Sequence, residues 1–241
     1  PGLRQQRLLL YCDTRSLVLV RSFSEQGRGS FMTPDEFLSA AHVSHETLDR
    51  LIGFVGLLKK WQNSVNLVGV RTLDEVWQRH IFDSAQLYRW LPSSSCRLID
   101  LGSGAGFPGL VLAIMGMSGV ELIEANSRKC AFLEEAARVT QTSVVIHNKR
   151  IEATSIGIAD VITARALAPL PRLLDYAEPF IGHNTTCLFL KGRKYFGELT
   201  AVQKTWKMGV TTIPSLSGPD GKILCLRTLT RNHGATGLNS V

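Results

Sequence analysis

The sequence predicts an α/β protein: a Rossmann-like, doubly wound sheet of seven strands, mostly parallel, closing on an antiparallel C-terminal hairpin, with a helical region before the sheet. Three observations carry this. Short apolar runs alternate with helix-patterned segments from residue 98 to residue 207, the pattern of parallel strands joined by crossover helices. A glycine-rich loop follows the first of these strands and opens a helix. The last two strand-like runs have no helix between them, so they pair as a hairpin.

In chain order, residues 1–31 differ from the rest. Arg4, Arg7, Arg15, Arg21 and Arg28 stand against only Asp13 and Glu25, and lysine is absent. An arginine-rich, acid-poor leader has the composition of an organelle transit peptide. The alternative reading, favoured here, starts the native protein at Met32 and leaves 1–31 as an atypical leader, disordered or non-native. Thr33-Pro34-Asp35-Glu36 is a capping box with proline at the first helical position. Ser44 caps a second helix, whose Leu48, Leu51, Ile52, Val55, Leu58 and Trp61 recur at three- and four-residue spacing. A turn at 63–69 precedes a helix expected over 73–80, with Asp74 and Glu75 in its first turn. Residues 32–92 thus form an N-terminal helical region, and Pro92 with the serines at 93–95 leads into a sheet domain over 93–230. A polar tail follows at 231–241.

Within the sheet domain, strands are expected at 98–101, 120–123, 144–146, 160–164, 186–190, 211–213 and 223–227. Helices are expected from Pro108 and over 127–140, 171–181 and 195–207. Arg128 and Lys129 fall in the first turn of their helix, where cations oppose the dipole, which suggests that they have another task.

The central stretch is 97–124. Gly102, Gly104 and Gly106 turn the chain without β-carbons, so backbone can approach a ligand closely. Ligands in such sheets lie over the carboxyl ends of the strands, and an acid about 20 residues after the loop can accept ribose hydroxyls. Glu124 holds that place, so the stretch asks for a nucleoside-containing cofactor. Gly104 to Gly109 also matches the dinucleotide pattern G-x-G-x-x-G, which keeps an NAD-dependent oxidoreductase as an alternative. Counted from Gly102, however, Phe107 stands where the third dinucleotide glycine belongs. Its ring opposes a tight helix approach and, with Pro108, could wall a pocket for a smaller ligand. Asp100 could order the loop amides or meet a cationic ligand.

The chain of 241 residues carries a formal charge of +7, which favours an anionic partner such as nucleic acid. It has no run of 18 apolar residues, so no membrane helix is expected. Five scattered cysteines without a C-x-x-C pair argue against a disulfide framework or zinc cluster and for a reducing compartment. No metal set emerges from the six histidines.

With these residues in hand, DLGSGAGFPG at 100–109, NLVG at 66–69, RHIFDS at 79–84, ARALAPLPRLL at 164–174 and LKGR at 190–193 resemble the glucose-inhibited division protein B family, the small-subunit ribosomal RNA guanine-N7 methyltransferases. The resemblance runs from about residue 32 to residue 227 and makes 93–230 a methyltransferase domain. It implies S-adenosyl-L-methionine as cofactor and cofactor contacts at Gly102, Phe107, Ile151, Glu152 and Arg165, beside Gly104 in the loop and Glu124 at the end of the following strand. It implies small-subunit (16S-type) ribosomal RNA as partner, within a partly assembled subunit, and a cytoplasmic site of action, or an organelle matrix if 1–31 is a transit peptide. Nothing demands a dimer, so a monomer is expected. Arg79, His80, Lys191 and Arg193 are candidates for RNA phosphates, although His80 and Asp83, three residues apart, could simply pair on a helix. Guanine N7 carries a lone pair, so no general base is expected among the residues. The duplex groove hides that atom, so the target base should be unpaired or extruded. A noncatalytic RNA-binding assembly factor on the same fold is the remaining alternative.

Overall fold

The computed structural model describes residues 31–232. The expected leader, apart from Phe31, and the tail beyond Asn232 lie outside the described residues. One sheet holds β1 (Leu98–Leu101), β2 (Val120–Glu124), β3 (Val145–Asn148), β4 (Val161–Arg165), β5 (Thr186–Lys191), β6 (Trp206–Pro214) and β7 (Lys222–Arg231) in the order β3-β2-β1-β4-β5-β7-β6. The first five run parallel. The last two form the expected antiparallel hairpin, with β7 inserted beside β5.

Side chains alternate across the strands and so build two core layers. Leu98, Val120 and Leu122 pack with α2 (His45–Gln62), α4 (Gly109–Ile114) and α5 (Ser127–Val139). Ile99, Leu101 and Ile123 face the other way, onto α6 (Leu170–Ala177) and Phe180. A helix α7 (Tyr195–Val202) joins this second layer through Val202. In the N-terminal region, α1 (Pro34–Ala41) is closed by the reciprocal Thr33–Glu36 capping box, and Ser44 caps α2 through the Thr47 amide. Phe37, Leu51, Phe54 and Leu58 are wholly buried there, so this region packs on the first core layer and is not a separate unit.

Four expectations need correction. The helix expected over 73–80 begins later: Trp77–Phe82 is a π-helical turn that runs into a single α-turn, α3 (Asp83–Ala85), and then a 3-10 segment, Gln86–Trp90. Burial of His80, Ile81 and Phe82 together sets that wider winding, which no i, i+4 count reveals. The helix expected over 195–207 stops at Val202, because Trp206 starts β6 opposite Arg231, whose guanidinium lies 5.1 Å over the indole. The hairpin strands are accordingly far longer than 211–213 and 223–227. Finally, helix and sheet do approach tightly after the glycine loop, at Gly109. A β-carbon there would lie 2.6 Å from Leu122 and 2.7 Å from Asp100, so Phe107 does not hold the helix off.

Candidate active site

The chain reverses its strand order between β1 and β4, and a cavity of about 1040 Å³ opens over the carboxyl ends of β1, β4 and β5. Its floor is the glycine loop. Gly102 and Gly104 take left-handed backbone, with φ of 64° and 57°. A β-carbon on Gly104 would meet nothing closer than the Gly102 carbonyl at 3.8 Å; the space beside it is open cavity, the form of a cradle kept clear for a ligand.

Two carboxylates fix this loop from below. Asp100 is fully buried; it accepts from the Gly109 amide at 3.2 Å and the Thr163 hydroxyl at 2.7 Å. Burial outweighs those hydrogen bonds and raises its carboxyl to about 6. Glu124 accepts from the Gly104 amide at 2.9 Å and the Asn126 amide at 2.8 Å. It therefore orders the loop, besides standing where the sequence reading expects an acceptor for ribose hydroxyls. Each of its oxygens keeps a further lone pair for a ligand hydroxyl.

The side wall is Phe107, only 3% exposed. Its ring stacks on His80 (centroids 5.1 Å apart, planes at 26°), and the Arg165 guanidinium carbon sits 4.8 Å from its centroid. Arg165 donates to the Arg79 carbonyl at 2.9 Å and faces Asp83 at 3.7 Å. Asp83 also accepts from Gln86 at 2.9 Å, Ser215 at 3.2 Å and Ser217. Gln86 completes the junction by accepting from the Leu216 amide at 2.8 Å. The hairpin loop between β6 and β7 is thereby sewn to the π-helical turn, and together they form the far rim.

Of the expected site residues, the cavity brings together Gly102, Gly104, Phe107, Arg165, Arg79, His80, Lys191 and Arg193. Glu124, Ile151 and Glu152 are not on its wall. Ile151 packs in the core with Leu101 and Ile123, beneath the ends of β1 and β2, and Glu152 is exposed, 3.4 Å from Arg172. Among the four phosphate candidates the geometry separates two pairs. Arg79 and Arg193 are exposed, in surface pairs with Glu75 and Asp220. His80 is buried and, with Arg165 and Arg79 nearby, is lowered to about 3, so at neutral pH it carries no charge for a phosphate. Lys191 is nearly buried against Glu198 at 2.6 Å and the Ala168 carbonyl at 2.9 Å. Nor do His80 and Asp83 pair with each other: Thr72 takes the histidine and the serines take the aspartate.

Sequence reasoning passed over Thr72, Glu198, Ser217 and Asp220, all on the cavity wall. Lys129, singled out in the sequence as a cation ill placed in the first turn of its helix, lies on that wall. Among the described residues no group of three His, Cys, Asp or Glu side chains is placed to hold a metal ion. No described helix is long and apolar enough to cross a membrane. Cys96, Cys130, Cys187 and Cys225 are free and buried; Cys12 lies outside the described residues.

A mostly parallel sheet ending in a β7-before-β6 hairpin, with a glycine loop at the switch point, is the Rossmann-like methyltransferase fold. Solved structures agree on the fold. A TehB-like SAM-dependent methyltransferase from Corynebacterium glutamicum superposes with a TM-score of 0.51 at 12% identity, over 74% of this chain and 99% of that one. A ribosomal protein L11 methylase from Lactobacillus delbrueckii subsp. bulgaricus gives 0.50 at 16%, over 63% and 77%.

Within that class the match narrows. The family model for GidB, rRNA small subunit methyltransferase G, covers residues 47–224. The ribosomal RNA small subunit methyltransferase G of Paramagnetospirillum magneticum is 53% identical over 84% of this chain and 98% of its own. That of Rhodospirillum rubrum is 51% identical over 80% and 96%. The chain belongs to the rRNA small subunit methyltransferase G family, and it is a methyltransferase; the oxidoreductase alternative finds no support.

Proposed function

We propose that the protein transfers a methyl group from S-adenosyl-L-methionine to N7 of a guanine in small-subunit ribosomal RNA, acting as a monomer in the cytoplasm on a partly assembled subunit. The observation that carries this is the joining of a bare glycine floor to a cation-rich mouth within one cavity. When bound, the cofactor supplies a methyl group made electrophilic by its sulfonium sulfur. Gly102 and Gly104 would hold it through backbone, with Phe107 and Arg165 on one side and Glu124, Ile151 and Glu152 toward its nucleoside.

N7 carries a lone pair and loses no proton on methylation, so the chain needs no general base. Its work is alignment and exclusion of water. Phe107, His80 and the hairpin loop enclose the space, and Arg165, held by Asp83 and the Arg79 carbonyl, keeps a fixed positive charge beside it. Arg79, Arg193 and Lys194 at the mouth would meet backbone phosphates.

Incubation of small subunits lacking the modification with labelled S-adenosyl-L-methionine tests this. Label in RNA at a single guanine, recovered on digestion as 7-methylguanosine, is the expected result. Cofactor binding with no label in RNA would favour an assembly factor, and label at another atom would overturn the N7 assignment.

A further inference from the structure

The wall between the glycine floor and the mouth holds a hydrogen-bonding group that the alignment scheme above does not use. His80 lines the cavity and is 8% exposed, with its ring stacked on Phe107. Its Nε2 lies 2.8 Å from the Thr72 hydroxyl oxygen. That hydroxyl has one proton, and it is given to the Gly69 carbonyl at 2.7 Å. Thr72 must therefore accept from His80, which places the ring proton on Nε2 and leaves Nδ1 as a lone pair. Nδ1 is buried and has no protein partner. A buried acceptor left unmet is costly, and its persistence at a functional site calls for a partner.

The anionic acceptors on the cavity wall are already engaged. Glu75 pairs with Arg79, Asp220 with Arg193, and Glu198 with Lys191 and the Leu170 amide. Asp83 is taken by Ser215, Ser217, Gln86 and Arg165. The wall is otherwise rich in donors: Arg79, Lys129, Arg165, Lys191, Arg193, Lys194. An unspent neutral acceptor among cations selects a donor that carries no charge of its own.

We propose that His80 is a specificity-determining residue whose Nδ1 accepts a hydrogen bond from the Watson–Crick edge, N1–H or the 2-amino group, of the target guanine. This rests on the guanine-N7 reading above. With N7 turned toward the methyl donor and O6 an acceptor, that edge holds the donors the base has left. Adenine offers an acceptor at N1 and no 2-amino group, so the contact discriminates between the purines. Because Nδ1 is shielded from solvent, the contact requires the ring to turn within its stack on Phe107 as the base enters while keeping its hydrogen bond to Thr72.

Two variants separate the two nitrogens. Asparagine places its amide near the Nδ1 position, whereas glutamine reaches the Nε2 position. His80→Gln therefore keeps the Thr72 contact and loses the inward acceptor; His80→Asn does the reverse. The measurement is kcat and KM for unmethylated small subunits and, separately, KM for S-adenosyl-L-methionine, with thermal melts to confirm folding. The expected result is a fall in kcat/KM for RNA of about 10- to 100-fold for His80→Gln, recovery to within a few-fold by His80→Asn, and an unchanged KM for the cofactor in both. Equal RNA kinetics for glutamine and asparagine would overturn the proposal, as would a loss confined to the cofactor KM. Wild-type protein that transfers no methyl group at all would instead count against the guanine-N7 reading, which keeps the two failures apart.

Discussion

The two walls of the cavity are built on different principles. The glycine floor is local: its loop, the carboxylate that caps the following helix and the carboxylate that pins its amide all fall between Asp100 and Glu124. The far rim is assembled over long separations. Asp83 and Gln86 meet Ser215, Leu216 and Ser217 across about 130 residues, and Arg165 joins from β4. A floor held by its own neighbours survives the loss of one distant contact; a rim in which Ser215, Ser217, Gln86 and Arg165 converge on one carboxylate is more sensitive to its loss. The proposed cofactor floor and the proposed substrate rim are thus supported by separate frameworks, and they should fail separately.

The largest effect is expected on the floor. Gly104→Trp fills the open space beside the loop and forces an indole onto left-handed backbone; calorimetry should then detect no S-adenosyl-L-methionine binding, while the rest of the fold melts cooperatively. Retained affinity would place the cofactor elsewhere. Asp83→Ala should unlace the rim instead. It strands Arg165 and two serines, costs about 2–4 kcal/mol in urea unfolding, and weakens RNA turnover more than cofactor binding. Equal losses in both would mean that the walls are not independent.

A smaller effect follows from His80. Its folded value, lowered to about 3, lies below the ordinary 6.5, so the unfolded chain takes up its proton first. The stability it contributes is complete above pH 6.5 and is lost as pH falls from there toward 3. Wild-type melting temperature should drop more between pH 7 and pH 5 than that of His80→Gln; parallel curves would show that the ring titrates normally. The smallest change is expected at the mouth. Arg193→Ala removes an exposed ion pair and should leave stability nearly unchanged. The dependence of RNA binding on salt should become shallower by about one phosphate contact. An unaltered slope would remove Arg193 from the RNA path.

This contrast also explains what the sequence disclosed. Gly102, Gly104 and Glu124 were legible because their partners lie within one crossover unit, and the strand alternation that frames them is a period-two pattern. His80 was not. Its charge, tautomer and orientation depend on Thr72, Phe107 and Arg165, which only the folded chain brings together. The role of the loop at 215–221 was not legible either, since nothing in Ser215 or Ser217 announces a partner in the N-terminal helices. Trp206 misled for the same reason: its place at the start of β6 is set by pairing with β7, where Arg231 lies opposite. Lys191 shows the limit of reading charge as availability, because Glu198, one turn into the next helix, already claims it.

The stitching of the hairpin loop to Gln78, Asp83 and Gln86 has a consequence for timing. The glycine floor precedes residues 215–217 in the chain, so its segment is made first, and the opposite rim closes only when the hairpin loop is in place.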